Sequence, residues 1–244
     1  MKTSNKLLIG FLSIITLSMI AMMMYSKSKI INDIQRSHSD NYKKDFQDMK
    51  GFKSLEISTN GDVTITSGEE LLSIESDSFW FANSRIEIKD SILYIFDPEK
   101  NHSSPDINIT MQNLAGIKLL GSSDIIMKDS FNTDHIDLVL TGSGSIDSKV
   151  NSNSITAILL GSGEIANQGK AQSITLQMTG SGTINFNETE AKDANIQLLG
   201  SGDVNCNASN SIKGNLSGSG DINYKGNPTV QLNQIGSGNI NKQQ

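Results

Sequence analysis

A recurring acidic position is the feature of this sequence that could most readily take part in catalysis or ligand binding. The residue after each Gly-Ser-Gly triplet, or after its degenerate copy, is polar, and it is acidic at Asp124, Glu164, Asp203 and Asp221. Carboxylates at such intervals could bind calcium or form the carboxylate pair of a polysaccharide-cleaving enzyme. Asp203 and Asp221 are weak candidates for ligand binding, since they become neighbours if successive repeats stack in register. The pattern favours the simpler interpretation, an outward row of solvated carboxylates.

Other nucleophilic and metal-ligating residues are sparse. A serine stands in the middle of each triplet, but no histidine recurs beside it, so no pair of nucleophile and base is indicated. The single cysteine, Cys206, excludes an intramolecular disulfide and any zinc site built from several cysteines. The three histidines, at positions 38, 102 and 135, are far apart in the chain. The sequence therefore predicts no catalytic residue, no metal site and no cofactor.

An internal repeat determines where these residues lie. Gly-Ser-Gly, then any residue, then Ile or Val recurs six times at intervals of 18 to 20 residues, and GSSDI begins 21 residues before the first copy. Aliphatic residues recur two and four positions before the first glycine and four positions after it, with polar residues between them, which is typical of strands with one buried face. Cys206 shares such a column with Phe186, which favours a buried structural role. The predicted structural corners are Gly142, Ser143, Gly144, Gly161, Ser162, Gly163, Gly180, Ser181, Gly182, Gly200, Ser201, Gly202, Gly218, Ser219, Gly220, Gly236, Ser237 and Gly238.

The repeat predicts the fold class. A unit of about 19 residues cannot bury its own apolar face, but stacked units form continuous inward columns. We therefore predict an all-β fold, a single-stranded parallel β-solenoid or β-helix, with the Gly-Ser-Gly repeats over residues 116–244 and a ladder of stacked asparagines. An antiparallel meander is the alternative, but it would use two-residue hairpin turns, which the repeat lacks.

Residues 51–115 predict an N-terminal cap with the first irregular coils, because a solenoid needs covered ends. Trp80, between Phe79 and Phe81, is a further weak candidate for a ligand-binding patch. At the other end, Gln234 occupies an inward position and a polar tail follows it, which predicts end capping.

The N-terminal segment predicts export. Residues 7–24 contain no charge and would span about 27 Å as a helix, close to the thickness of a bilayer core. Residues 1–25 are interpreted as a signal anchor in preference to a cleaved signal peptide, and residues 26–50 as a polar linker. This organisation places the β-helix outside the cytoplasm, in the periplasm or at the cell surface. The net charge of −6 argues against nucleic acid as a partner.

The Gly-Ser-Gly repeats, together with Phe52-Lys-Ser-Leu-Glu-Ile and Asp62-Val-Thr-Ile, resemble the autotransporter adhesin head GIN domain family over residues 52–242. The resemblance implies an exported bacterial β-helix of adhesin-like function and no catalytic motif. The favoured function is a membrane-displayed binding module for a surface glycan or protein. A scaffold that polymerises end to end is the second alternative, and a carbohydrate-active β-helix enzyme is the least favoured. The oligomeric state stays open.

Overall fold

The computed structural model describes residues 21–27, 29, 41–98 and 104–243. The chain divides into two compact units, Met1–Asp40 and Asn41–Gln244. Residues 21–27 are helical. Within the described part of the chain, no helix has the length and apolar character needed to span a bilayer. Most of the anchor predicted at residues 7–24 lies outside the described residues, so the anchor remains a prediction.

The described residues of the second unit form one 17-stranded sheet wound into a solenoid. A short helix, Ser78–Asn83, separates β4 from β5. The strands are β1 Tyr42–Phe46, β2 Ser54–Ser58, β3 Asp62–Ser67, β4 Leu71–Ser76, β5 Arg85–Lys89, β6 Ile92–Phe96, β7 Asp106–Met111, β8 Gly116–Gly121, β9 Asp124–Met127, β10 Phe131–Gly142, β11 Ser145–Gly161, β12 Glu164–Gly180, β13 Thr183–Gly200, β14 Asp203–Gly218, β15 Ile222–Lys225, β16 Thr229–Gly236 and β17 Ile240–Lys242.

The Gly-Ser-Gly repeats stack in parallel and in register. Each of β11 to β14 runs through one whole coil and pairs with the strand of the next coil. The first glycine of each triplet lies beside the first glycine of the next, so that Gly161, Gly180 and Gly200 form a column. The predicted parallel solenoid is confirmed for this half of the protein, and the antiparallel alternative is wrong there.

The core consists of the inward columns that the repeat predicts. Ile155 lies beside Ile174, and Leu159 lies beside Met178, all of them buried. Each fully buried aliphatic side chain contributes about 1.5–3 kcal/mol relative to an exposed one, so long columns suffice where aromatic residues are few. Cys206 lies in register between residues 186 and 224 and is buried, as predicted.

The Gly-Ser-Gly corner needs both glycines. Gly180 has φ +136°, a region that side-chain-bearing residues rarely adopt, and a Cβ there would overlap the carbonyl oxygen of Gly161. At Gly182 the φ is ordinary, but a Cβ would overlap the carbonyl oxygen of Gly163. The degenerate copy carries Ser123 at the third position. Its buried hydroxyl donates to the carbonyl oxygen of Thr59 at 2.6 Å, which lies in the coil of β2 and β3.

The stacking order at the N-terminal end departs from the chain order. The coil of β2 and β3 lies between the coil of β6 and β7 on one side and that of β8 and β9 on the other. Antiparallel strands then cover the outer coil: β5 pairs with β6, β4 pairs with β7, and β1 pairs with β4. β1 falls within the range predicted as a linker, so residues 26–50 include an ordered edge strand.

Candidate functional site

The acidic row of the repeat is used for contacts between coils. An Asp203 Oδ1 accepts a hydrogen bond from the backbone N–H of Asp221 at 3.1 Å. Asp221 in turn accepts from the backbone N–H and the side-chain amide of Asn239, at 2.8 and 3.0 Å. Within the described residues, no group of three or more His, Cys, Asp or Glu side chains is arranged to hold a metal ion. Each of these two carboxylates therefore ties one coil to the next.

The structure places Trp80 inside the N-terminal cap. The backbone N–H of Trp80 donates to the Asp77 carboxylate at 2.7 Å, and this bond caps the helix Ser78–Asn83. The indole is fully buried and meets the Phe81 ring edge to face, with the centroids 5.3 Å apart. It presents no surface to a ligand and instead closes this end of the core.

The other nucleophile candidates also have structural surroundings. The corner serines face outward and are exposed, and Ser237 donates to the hydroxyl of Ser219 at 3.1 Å. Burial raises the pKa of the Cys206 thiol to about 12, so the thiol stays protonated and unreactive at neutral pH. The predicted asparagine ladder is confirmed where Asn241 donates to Asn223, and Asn223 to Asn205, at 3.1 and 3.0 Å.

A broad, open concavity, which we call the amide groove, lies at the second corner of the coil. In β11 this corner connects the segments 145–150 and 155–160, in the middle of the strand, whereas the Gly-Ser-Gly corners lie at its two ends. The groove is open to solvent and has a volume of about 1010 Å³. Its lining residues are Asn113, Asn132, Thr133, Asp134, Asn151, Ser152, Asn153, Lys170, Ala171, Gln172, Glu190, Ala191, Lys192, Asn207 and Ser209.

Small residues form the floor of the amide groove. Ser152 lies beside Ala171, and Ala171 lies beside Ala191. Because these side chains are short, the surface is concave along the stack. The groove therefore runs parallel to the solenoid axis, and the five coils from β10 to β14 give it a length of about 19 Å at a strand spacing of about 4.8 Å.

Hydrogen bonds between coils hold the walls of the groove. Asn151 donates to the Oδ1 of Asn132 at 3.1 Å and accepts from the backbone N–H of Lys170 at 3.0 Å. Lys170 also forms an exposed ion pair with Glu190 at 3.2 Å, which contributes little to stability. The lining carries two acidic and two basic side chains. The groove is consequently close to neutral and rich in paired donors and acceptors.

The sequence of the solenoid matches a known protein family. The family model described as "Putative auto-transporter adhesin, head GIN domain" matches residues 51–228. The chain belongs to this family. No curated protein sequence matches this head GIN protein.

Solved structures share the fold of this head GIN protein. A crystal structure described as a "putative adhesin" from Bacteroides fragilis is 28% identical, with a TM-score of 0.79, and the match covers 84% of this chain and 97% of that one. Another "putative adhesin", from Parabacteroides merdae, is 19% identical, with a TM-score of 0.71 and coverage of 85% and 98%. A "putative lipid binding protein" from Parabacteroides distasonis is 21% identical, with a TM-score of 0.67 and coverage of 85% and 98%.

Sequence reasoning missed the amide groove of this head GIN protein. The signal was present, since small residues stand three positions before an aliphatic residue of the repeat at Ser152, Ala171 and Ala191. A small residue in a buried column is easily interpreted as ordinary packing. Only the stacked register shows that these positions form one continuous floor.

Proposed function

We propose that this head GIN protein is an exported, membrane-tethered and non-catalytic binding module of adhesin-like function, and that its ligand occupies the amide groove. The observation that carries the proposal is the groove itself, which is long, near-neutral and lined with amides. The family description and the similar Bacteroides fragilis structure support an adhesin-like role at the cell surface. Residues 7–24 supply the tether in this proposal.

The chemistry of the lining favours an extended, uncharged and hydroxyl-rich chain as the ligand. Asparagine and glutamine side chains donate and accept hydrogen bonds without net charge, as sugar hydroxyls do. None of the lining residues is aromatic, so binding would depend on hydrogen bonds and not on ring stacking. Each such bond contributes about 0.5–1.5 kcal/mol net, which suits weak contacts repeated along a glycan chain. Several copies displayed on one surface would then bind with greater avidity.

A non-catalytic role is supported by the surroundings of the candidate catalytic groups. Active sites gather titratable groups with shifted pKa values in a cleft. Here Cys206 is in the core, and Asp203 and Asp221 are hydrogen-bonded to the backbone of the next coil. Hydrogen bonds from the Ser211 hydroxyl and the Asn210 side-chain amide lower the pKa of Asp193, which keeps it an ordinary ionised carboxylate.

Removal of two exposed amides from the groove tests the proposal. In the double variant N153A/Q172A both side chains are lost from the lining, while the buried floor stays unchanged. Binding to an array of neutral oligosaccharides should weaken about tenfold or more, as the loss of two hydrogen bonds implies. The matched control Q177A/N195A removes the same residue types from exposed positions outside the groove.

Saturable binding that is lost in the groove variant and kept in the control supports the proposed site. Equal binding by the two double variants would contradict the groove as the site. A wild-type protein that binds none of the neutral oligosaccharides would contradict the ligand class.

A further inference from the structure

The two ends of the solenoid are built differently. At the N-terminal end, antiparallel strands and the fully buried Trp80 cover the core. At the other end lies the terminal coil, which we define as β16, β17 and the loop between them. β16 pairs with β14, and β17 pairs with β15. No strand among the described residues pairs with their outer edges, so both edges present a row of backbone donors and acceptors.

The terminal coil also exposes apolar side chains from the inward columns. Val230 is 37% exposed, whereas its register partner Ile212 is 0% exposed. Leu232 and Ile240 are half-buried. Gln234, predicted to cap this end, is exposed and donates to the carbonyl oxygen of Gly238 in the same coil. The rest of the core end stays apolar and uncovered within the described structure.

Charge does not protect this edge. β1, at the opposite end, carries Lys43, Lys44 and Asp45, in the manner of edge strands that avoid pairing with another chain. From Gly226 onward the only charged residue is Lys242, in a protein whose net charge is −6. Two copies repel each other least when these neutral ends meet.

We propose that the terminal coil pairs with the same coil of a second copy, β16 antiparallel to β16 and β17 antiparallel to β17. A two-fold axis normal to the sheets reverses each strand and keeps inward residues inward. Leu232 then meets Leu232 of the other copy, in an isologous contact. The capped N-terminal ends of the two solenoids then lie at opposite ends of the dimer, so no further copy can add to it.

The contact is small, and its size is consistent with a weak dimer. β16 has 8 residues, and a strand of that length measures about 27 Å, with two sheets about 10 Å apart. With side chains included, the end face measures about 500 Å² per copy, or about 1,000 Å² in total. A contact of this size is below the usual range of stable interfaces, so the dimer should dissociate in the micromolar range.

Sedimentation velocity of the full-length chain in detergent, over a range of concentrations, tests this dimer. The wild-type protein should shift from monomer to dimer between about 1 and 100 µM. L232K should weaken the dimer at least tenfold, because the ammonium reaches solvent in the monomer and is buried in the dimer. L199K is the control, since Leu199 is also exposed and lies two coils away in the column of Ile235.

Hydrogen exchange of the wild-type protein provides a second measurement that needs no variant. Amides of β16 and β17 should become more protected as the concentration rises, while those of β1 and β5 should not change. A wild-type protein that stays monomeric at 100 µM, a dimer that L232K leaves intact, or assemblies larger than two copies would each overturn the proposal. Unchanged exchange in β16 and β17 would do the same.

Discussion

Replacement of a corner glycine provides a quantitative test of the stacked corners. In G180A a Cβ must fit at φ +136°, which costs about 1–3 kcal/mol, and the Cβ overlaps the carbonyl oxygen of Gly161. To relieve the overlap the coils must separate. This weakens two bonds of the corner, from Ser181 N–H to Gly161 at 3.0 Å and from Ser201 N–H to Gly180 at 2.9 Å. At about 1 kcal/mol each, the total loss is about 3–5 kcal/mol.

The assay is equilibrium unfolding in urea, followed by far-ultraviolet circular dichroism on residues 41–244. With an m-value of about 2–3 kcal/mol/M, G180A should lower the midpoint by about 1–2 M. The control is G116A, because Gly116 does not have a positive φ and a Cβ there meets its nearest atom at 3.4 Å. Its change should stay below about 1 kcal/mol. Equal midpoints for the two variants would refute the corner argument.

Three further predictions concern buried and titrating groups. N167A should lower the free energy of unfolding by about 2–4 kcal/mol in a urea titration, because buried Asn167 accepts from Val150 N–H at 3.1 Å and donates to Thr189 at 2.9 Å. A loss below about 1 kcal/mol would contradict this reasoning. Cys206 should not react with a thiol reagent at pH 8 until the protein is unfolded, since burial raises its pKa to about 12, and rapid labelling of the folded protein would be inconsistent with it. The lowered pKa of Asp193 should make the wild-type protein more stable than D193N above about pH 4. Urea titrations should show this difference in stability shrink as the pH falls through the folded-state pKa, and a pH-independent difference would contradict the prediction.

The repeated half of the fold could be predicted because each coil repeats the same local rules. Identical positions such as Gly161, Gly180 and Gly200 must stack if an amphipathic unit of about 19 residues is to bury its apolar face. The parallel register and the column of Cys206 follow from that requirement alone.

The first half could be predicted only as strands. Its segments have no shared repeat, so nothing in the pattern of alternation shows that the coil of β2 and β3 lies between two later coils. β1 carries three charges in five residues and resembles a linker in sequence, although its charge suits an exposed edge strand. The alternation also does not show that Trp80 belongs to a buried cap.

The candidate site was the least predictable part. Asp203 and Asp221 were candidates for ligand binding because carboxylates can bind metal ions or act in catalysis, yet both accept backbone hydrogen bonds from the next coil. The groove depends on side chains such as Asn153 and Gln172, whose residue types vary from coil to coil. A site built from shape and shared register gives no local motif.

The most direct test of the amide groove is a nuclear magnetic resonance titration of the side-chain amides with a neutral oligosaccharide. The resonances of Asn132, Asn153 and Gln172 should shift together and saturate at one ligand concentration, while those of Gln177 and Asn195 should stay in place. Shifts confined to the N-terminal cap or to the corner serines, or no shifts at millimolar ligand, would contradict the groove as the binding site.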